Sequence, residues 1–222
     1  AVDLTIVGPE APLEAGIVDR FRAAKLPIFG PTRDAAEIET SKAFAKKLLL
    51  DERIPTARAE IHTRVADAKA AARRFGAPVV VKASGLAAGK GVIVCKTLGD
   101  ADSAIDDILE GNRFGHAGAE VLVEEFMQGE EISLFALTDG RTFVVLPALQ
   151  DHKRLLPNDL GPNTGGMGAY LPVQLGYAAD WSLSADPEAA NELALQAARD
   201  IVGPTLRALA ARGRNFTGLL YA

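Results

Sequence analysis

The sequence predicts an α/β arrangement followed by an α+β arrangement, and three observations support this mixed fold. Short apolar runs alternate with helical patterns over residues 4–75. Two β-branched runs, at residues 79–81 and 92–94, flank a glycine-rich segment. Asp139-Gly140 then separates two further strand-like runs. Alternating strands and helices favour a sheet covered by helices, whereas consecutive strands joined by a tight turn favour antiparallel pairing.

The first half of the chain follows this alternation element by element. Strands are predicted for the short β-branched or apolar runs at residues 4–7, 27–29, 79–81 and 92–94, and the first two of these runs end at a glycine. Helices are predicted where apolar residues recur every three or four positions, at residues 12–25, 34–38, 42–52, 65–75 and 100–109. Ser41 precedes the third of these helices and is predicted to cap it.

The second half is richer in strands. Apolar runs at residues 121–124, 132–138, 142–146 and 216–221 predict strands. The Asp139-Gly140 pair predicts a hairpin between the second and third of them. A polar loop is predicted from residue 150 to residue 170, and a helix from residue 188 to residue 212, interrupted at Gly203-Pro204.

Composition limits the classes of function. The 222 residues are 48% hydrophobic and carry a net charge of −5, so neither a nucleic-acid surface nor a basic membrane patch is expected. No apolar run approaches the roughly 18 residues of a membrane-spanning helix. The single cysteine, Cys95, is predicted to be an inert core residue, which favours a reducing, cytoplasmic location. The chain opens and stops in strand-like segments, so we expect a piece of a longer polypeptide.

The most informative segment is residues 79–94, VVVKASGLAAGKGVIV. Gly85, Gly89 and Gly91 leave the backbone open to a ligand, and Lys82 and Lys90 supply positive charge. The spacing is not that of a P-loop, and no helix follows directly. A flexible flap over a nucleotide triphosphate is the functional interpretation. An ordinary glycine-rich hairpin with surface lysines is the structural one.

Six separated motifs carry a resemblance to a known family. They are VGPEAPLEAG at residue 7, FGPT at 29, VKASGLAAGKGV at 81, VEEFMQGEE at 123, QDHKR at 150 and GPNTGGMGAY at 161. In this order and spacing the chain resembles the glycinamide ribonucleotide synthetase family of the ATP-grasp superfamily. The resemblance covers essentially the whole chain.

The resemblance implies an ATP-dependent carbon–nitrogen ligase that joins glycine to 5-phosphoribosylamine in purine biosynthesis. ATP is then a co-substrate and Mg²⁺ or Mn²⁺ the metal, with its ligands expected beyond residue 222 and none in this chain. The implied parent is a monomer or a weak homodimer. Residues 1–43 would end an N-terminal substrate-phosphate domain. Residues 44–222 would form a truncated ATP-grasp domain, with a lid at about 57–123.

Individual residues are carried over from matching motif positions. The residues expected to bind ATP are Lys42, Lys82, Gly85, Gly89, Lys90, Gly91, Glu124, Glu125, Phe126 and Glu131. Those expected to act in catalysis are Lys82, Asp151 and Lys153. Those expected to bind substrate are Gly8, Pro9, Glu10, Asp151, His152, Lys153, Gly165, Gly166, Met167 and Gly168. Ser84 stands where many family members carry an acidic residue.

Each motif also has a plain structural interpretation. Lys42 is then a solvated residue of a first helical turn, and the acids at residues 124–131 are solvated residues of a turn. The segment 150–154 is then a charged loop, and residues 8–13 are a proline-capped turn. Two alternative functions also stay open. One is another ATP-grasp ligase or a carboxylase, and the other is a non-catalytic nucleotide-binding piece.

Overall fold

A small parallel pair of strands and two short helices begin the fold. The computed structural model describes residues 2–87, 90–111, 113–129, 131–157, 160–170 and 187–221. Strand β1 (Thr5–Ile6) pairs in parallel with β2 (Ile28–Phe29). Between them lie α1 (Glu10–Glu14) and α2 (Ile17–Ala23).

The single helix predicted for residues 12–25 is therefore wrong in one respect. Gly16 has a φ of +76°, a left-handed conformation that stops α1 and restarts the chain as α2. The turn lets both helices contribute to one small core, in which Leu13 and Val18 pack with Ala36.

Two consecutive helices follow, α3 (Arg33–Thr40) and α4 (Lys42–Asp51). The predicted cap of α4 is confirmed, because the Ser41 hydroxyl accepts a hydrogen bond from the Phe44 amide at 3.2 Å. Ser41 itself is extended, so the chain changes direction between the two helices.

A four-stranded antiparallel sheet carries the glycine-rich segment. Its strands, in spatial order, are β3 (Ala59–His62), β6 (Val121–Glu125), β4 (Val79–Ala83) and β5 (Val92–Cys95). Local sequence does not predict β3, because its Ala-Glu-Ile-His run has only one β-branched residue. Pairing with β6 from Ala59↔Glu124 to His62↔Val121 provides the order that local propensity lacks.

Helices α5 (Val65–Phe75) and α6 (Leu98–Leu109) cover this sheet with small side chains. Ala68 and Ala72 of α5 and Ala101 of α6 are fully or almost fully buried against the valines of β4 and β6. Cys95 is buried in the same core. Burial, with a smaller effect of Asp100, raises the pKa of its thiol to about 11, as befits the predicted inert residue.

Further along the chain, β7 (Phe135–Thr138) and β8 (Phe143–Val145) form the predicted hairpin. Strand β13 (Gly218–Tyr221) pairs with β7 on its other side, so the spatial order is β13-β7-β8. The predicted loop from residue 150 to residue 170 instead contains short strands. They are β9 (Gln150–Asp151), β10 (Arg154–Leu156), β11 (Leu160–Asn163) and β12 (Ala169–Tyr170). Strand β9 pairs with β12 and β10 pairs with β11, so backbone N–H and C=O groups that a loop would expose to water are hydrogen-bonded to each other.

The last helical region runs without a break. It comprises α7 (Pro187–Ala197), a π-helical turn (Ala198–Val202) and α8 (Gly203–Ala211). An interruption was predicted at Gly203-Pro204, but the helix accommodates the proline through the π turn. The Gly203 amide donates to the carbonyl of Ala198, five residues back, because the wider turn makes room for a ring that has no N–H to offer.

The chain divides into two compact units. One comprises residues 1–37 and 129–222, and the other comprises residues 38–128. The second unit contains the four-stranded sheet with α4, α5 and α6. Within the described ranges, no helix is long and apolar enough to cross a membrane.

Candidate functional site

Three lysines surround one buried glutamate in the unit formed by residues 38–128. Glu124, on β6, has only 5% of its side chain exposed. Its Oε2 lies 2.7 Å from Lys82 Nζ, and its Oε1 lies 3.4 Å from Lys46 Nζ. Lys42 completes the group that we call the lysine cluster: Lys42, Lys46, Lys82 and Glu124. The register explains the geometry, because Val80 pairs with Glu124 and Lys82 follows two residues later on the same face of β4.

Lys42 connects this cluster to the beginning of the glycine-rich segment. Its Nζ donates to the Gly85 carbonyl at 3.0 Å, and its backbone amide donates to the Ser84 carbonyl at 2.7 Å. Burial lowers the pKa of Lys42, and the neighbouring charge of Lys82 lowers it further. Two of the predicted ATP-binding lysines are therefore close enough to influence each other.

Glycines of the segment are required here for close packing rather than for a left-handed backbone. A Cβ on Gly85 would lie 2.7 Å from Ala117 Cα, and one on Gly91 would lie 2.6 Å from Ala87 Cβ. The Gly85 amide donates to the Ala117 carbonyl at 3.1 Å. Lys90 is exposed. Gly89 lies outside the described residues.

Ser84 has a defined position that the sequence analysis did not assign. Its hydroxyl accepts a hydrogen bond from the Ala43 amide at 3.2 Å, so it satisfies a donor in the first turn of α4 beside the Ser41 cap. A carboxylate could accept the same bond.

Two more of the residues expected to bind ATP, Glu125 and Phe126, directly follow Glu124 along the chain. The side chain of Glu125 accepts hydrogen bonds from the backbone amide and the side chain of Arg58, both at 2.7 Å. These bonds, the backbone one first, lower the pKa of Glu125. Strand β6 ends at Glu125. Phe126 and Met127 are 37% and 67% exposed, just past the sheet's hydrogen-bonded ladder.

A second polar cluster lies in the other unit, around Lys153. Its ammonium group donates to Glu131 and, at 3.1 Å, to the Tyr221 hydroxyl, and Asp151 Oδ1 lies 3.9 Å away. Ser133 and Tyr221 share a further hydrogen bond at 3.1 Å. Burial opposes the charge on Lys153, but the bonds to Glu131 and Tyr221 outweigh it and raise its pKa. Three of the predicted residues are thus together, with Tyr221 and Ser133 as unpredicted partners.

The two predicted substrate segments lie side by side. The His152 amide donates to the Gly168 carbonyl at 2.8 Å, and the Met167 amide donates to the His152 carbonyl at 2.7 Å. The His152 ring stacks on Tyr170 with centroids 5.5 Å apart. Gly165, Gly166, Met167 and Gly168 are all exposed. Asp151, His152 and Lys153 therefore share one small two-stranded surface with residues 165–168.

The third predicted substrate segment is also on the surface. Gly8, Pro9 and Glu10 are exposed, and Pro9 occupies the cap position of α1 without a side-chain hydrogen bond. The helix has only five residues, so its dipole contributes little to anion binding.

The described residues do not fit a divalent metal. No group of three or more His, Cys, Asp or Glu side chains among them could hold one. Glu124 and Glu131, one carboxylate from each of the two polar clusters, already pair with lysines.

A separate open cavity of about 580 Å³ lies between β8 and the helices at the end of the chain. Its lining residues are Phe143, Val145, Leu195, Ala198, Arg199, Gly203 and Arg207. None of them belongs to the predicted site.

The unit formed by residues 38–128 places lysines beside a glycine-rich segment in an antiparallel sheet, and acidic residues end one of its strands. This is the arrangement of an ATP-grasp protein. Comparison with solved structures supports this class. A biotin carboxylase domain of the 2-oxoglutarate carboxylase from Hydrogenobacter thermophilus, in complex with MgADP, ADP and bicarbonate, matches 99% of this chain and 44% of its own. The TM-score is 0.65 and the identity 18%, so this likeness concerns the fold. The predicted mixed, incomplete ATP-grasp fold is confirmed.

Family models assign the chain to one family within the ATP-grasp class. The model of the phosphoribosylglycinamide synthetase ATP-grasp (A) domain matches residues 40–222, and that of the N domain of the same synthetase matches residues 1–39. This chain belongs to the phosphoribosylglycinamide synthetase family, as its motifs predicted.

Individual relatives agree with the family assignment. A phosphoribosylamine–glycine ligase of Vibrio cholerae is 51% identical over 222 residues, which are all of this chain and 49% of that protein. The crystal structure of the Thermotoga maritima phosphoribosylamine–glycine ligase matches with a TM-score of 0.79 and 28% identity, over 100% of this chain and 51% of its own. The chain thus spans about half the length of the relatives it matches.

Proposed function

We propose that this chain is the nucleotide-binding part of an enzyme that ligates glycine to 5-phosphoribosylamine. The products would be glycinamide ribonucleotide, ADP and phosphate, in purine biosynthesis. The observation that carries the proposal is the lysine cluster at the base of the glycine-rich segment. Similarity over the whole of this chain, and about half of theirs, to phosphoribosylamine–glycine ligases supports the choice of substrates.

The proposed reaction has two steps. The carboxylate of glycine attacks the γ-phosphorus of ATP, the bond to the β–γ bridging oxygen breaks, and ADP leaves with that electron pair. The amine of phosphoribosylamine then attacks the carbonyl carbon of glycyl phosphate and displaces inorganic phosphate. Glycine is already a carboxylate at pH 7, so the first step requires no strong base.

The residues of this chain are proposed to stabilise charge and exclude water. Lys42 and Lys82 neutralise phosphate oxygens during transfer, and residues 84–91, with Lys90, close over the β- and γ-phosphates. Phe126 and the end of β6 contact the adenine, with Glu131 on the ribose. Mg²⁺ or Mn²⁺ is proposed as the metal of the enzyme that contains this chain, with no metal site among the residues that the structure describes.

We propose that glycine and phosphoribosylamine bind at the surface that contains Lys153. Asp151 orients an amine, Lys153 binds a phosphate or the acyl phosphate, and His152 with residues 165–168 lines the same surface. Residues 8–10 are proposed to contact the 5-phosphate. We further propose a domain boundary near residue 43, a lid at about 57–123, a cytoplasmic location, and a parent that is a monomer or weak homodimer.

An ADP-release assay on the protein that contains this chain tests the proposal. With Mg²⁺ present, we expect release to require ATP, glycine and phosphoribosylamine, each omitted in turn. Lys82→Ala should abolish release while the thermal melt stays normal, because the Lys82 side chain is 27% exposed and does not belong to the apolar core of the sheet. Release that depends on bicarbonate rather than glycine would identify a carboxylase instead.

A further inference from the structure

Lys46 is a buried cation to which the proposed reaction assigns no role. Only 9% of its side chain is exposed, on the inner face of α4. Its Nζ donates to the Thr56 hydroxyl at 2.6 Å and to the Ala57 carbonyl at 3.0 Å, and it faces Glu124. All three donor positions of the ammonium group are therefore used, so it has none left for a ligand.

The charges around Glu124 are unevenly placed. Lys46 approaches the carboxylate from the protein side and is buried, whereas Lys82 approaches its other oxygen and is 27% exposed. Lys42 adds a further positive charge near Lys82, and Glu125 adds a more distant negative one near Lys46. The lysine cluster itself holds three lysines and one glutamate, so its formal charge is +2.

Keeping a charged lysine in this position is costly. Burial lowers the pKa of Lys46, and repulsion from Lys82 adds to that effect, while Glu124 opposes it. A buried ion pair is seldom the most stable choice for a core, since well-packed apolar side chains usually do as well or better. This cost in stability would be offset if the charge of Lys46 strengthened ligand binding at the exposed side of the lysine cluster.

We propose that Lys46 is a positioning residue for phosphate binding. It balances the charge of Glu124 from the buried side, so that Lys82 and Lys42 present their positive charge to a nucleotide's phosphates. This inference rests on the proposed function for the identity of the ligand. Without Lys46, the carboxylate pairs with Lys82 alone, and that pairing cancels the charge that the phosphates would otherwise meet.

Binding of ATP and of adenosine, each measured by calorimetry on the whole chain, separates this role from general stability. Lys46→Met should weaken ATP binding by about tenfold, the scale of one charged interaction, and leave adenosine binding unchanged. Lys47→Met is the matched control, because Lys47 is the next residue of α4 and is exposed. It should change neither affinity. Equal losses for ATP and adenosine in Lys46→Met would overturn the inference.

A double-mutant cycle tests whether Lys46 acts through Glu124. In the Glu124→Gln background the carboxylate charge is absent, so adding Lys46→Met should no longer change the ratio of ATP affinity to adenosine affinity. This comparison also serves if Lys46→Met alone does not fold. An undiminished loss in that background would show that Lys46 acts independently, contrary to the inference.

A ligand-free measurement distinguishes failure of the inference from failure of the proposed function. The ¹⁵N–¹H NMR signal of the Lys82 ammonium group reports its ion pair with Glu124. It should move in Lys46→Met and stay in place in Lys47→Met. A wild-type chain that binds neither ATP nor adenosine contradicts the proposed function, and the inference is then decided by this signal: no movement in Lys46→Met overturns it.

Discussion

At the scale of single residues, Glu131 and Lys153 are predicted to contact different ligands, yet they contact each other. Glu131 is 70% exposed, and Lys153 is 30% exposed. A pair this open to water contributes at most about 1 kcal/mol. Hydrogen bonds from a ligand to a charged group contribute roughly 1.5–3 kcal/mol, so a bound ribose would outcompete the pair. Ligand binding would thereby release Lys153 for a second ligand.

Replacing Glu131 tests its assignment to the ribose. Glu131→Gln should raise the KM for ATP by about tenfold or more, because an uncharged amide accepts hydrogen bonds more weakly than a carboxylate. The KM for 2′-deoxy-ATP should change much less, since that substrate lacks one of the two donors. Steady-state kinetics with both nucleotides makes the measurement. Equal penalties would identify Glu131 as a surface residue paired with Lys153.

At the scale of elements, β6 organises the unit formed by residues 38–128. It pairs with β3 on one side and β4 on the other. On one face of β6, Val121 and Val123 are buried in the core. On the other face, Glu124 contacts the lysines of the lysine cluster. Glu125 ends the strand and binds Arg58, which directly precedes β3. One strand thus connects the core, the charged site and the edge of the sheet.

The Glu125–Arg58 contact should make part of the stability depend on pH. The pKa of Glu125 is lower in the folded protein than its ordinary value of 4.5, so the unfolded state binds the proton more tightly. The contribution is therefore present above about pH 4.5 and is lost as the pH falls through the lower, folded-state pKa.

We expect Glu125→Gln to melt at a lower temperature than the wild type at pH 7, and the difference to shrink at pH 3. Thermal melts at the two values make the comparison. Glu120→Gln is a suitable control, because Glu120 directly precedes the same strand and is only half-buried. A difference between wild type and Glu125→Gln that is independent of pH would show that the carboxylate charge is unimportant to the contact.

At the scale of the whole molecule, residues 38–128 form a unit with its own core. Alanines of α5 and α6 and valines of β4 and β6 pack together in one core, and the described members of that core all lie between residues 65 and 123. Small side chains permit close approach of helices and sheet, so a short segment can bury a continuous core.

We expect a chain of residues 38–128 to fold independently. It should show a cooperative thermal transition by circular dichroism and dispersed amide signals by NMR, because its backbone pairing and its core are contained within it. A variant with Val81→Asp should abolish the transition, since Val81 is completely buried. A gradual, non-cooperative melt of the unsubstituted unit would mean that this core depends on the rest of the chain.

The sequence by itself determined the elements whose signals are local. Ser41 capped α4, the alanine-rich α5 had the predicted bounds, and Asp139-Gly140 made the hairpin, because capping, periodicity and turn geometry act over a few residues. The six motifs likewise identified the family. These features required no knowledge of what packs against them.

Only the tertiary structure decided the features that depend on distant neighbours. Strand β3 exists because β6 pairs with it, and the short strands from β9 to β12 pair within a segment that looks like a polar loop. Lys46 follows Lys42 by four residues, a spacing that places both on one helix face. On that face, Lys46 contacts the carboxylate of Glu124, which is 78 residues away in the sequence, on β6. Charge and burial at such a position are properties of the packed fold, which local sequence does not encode.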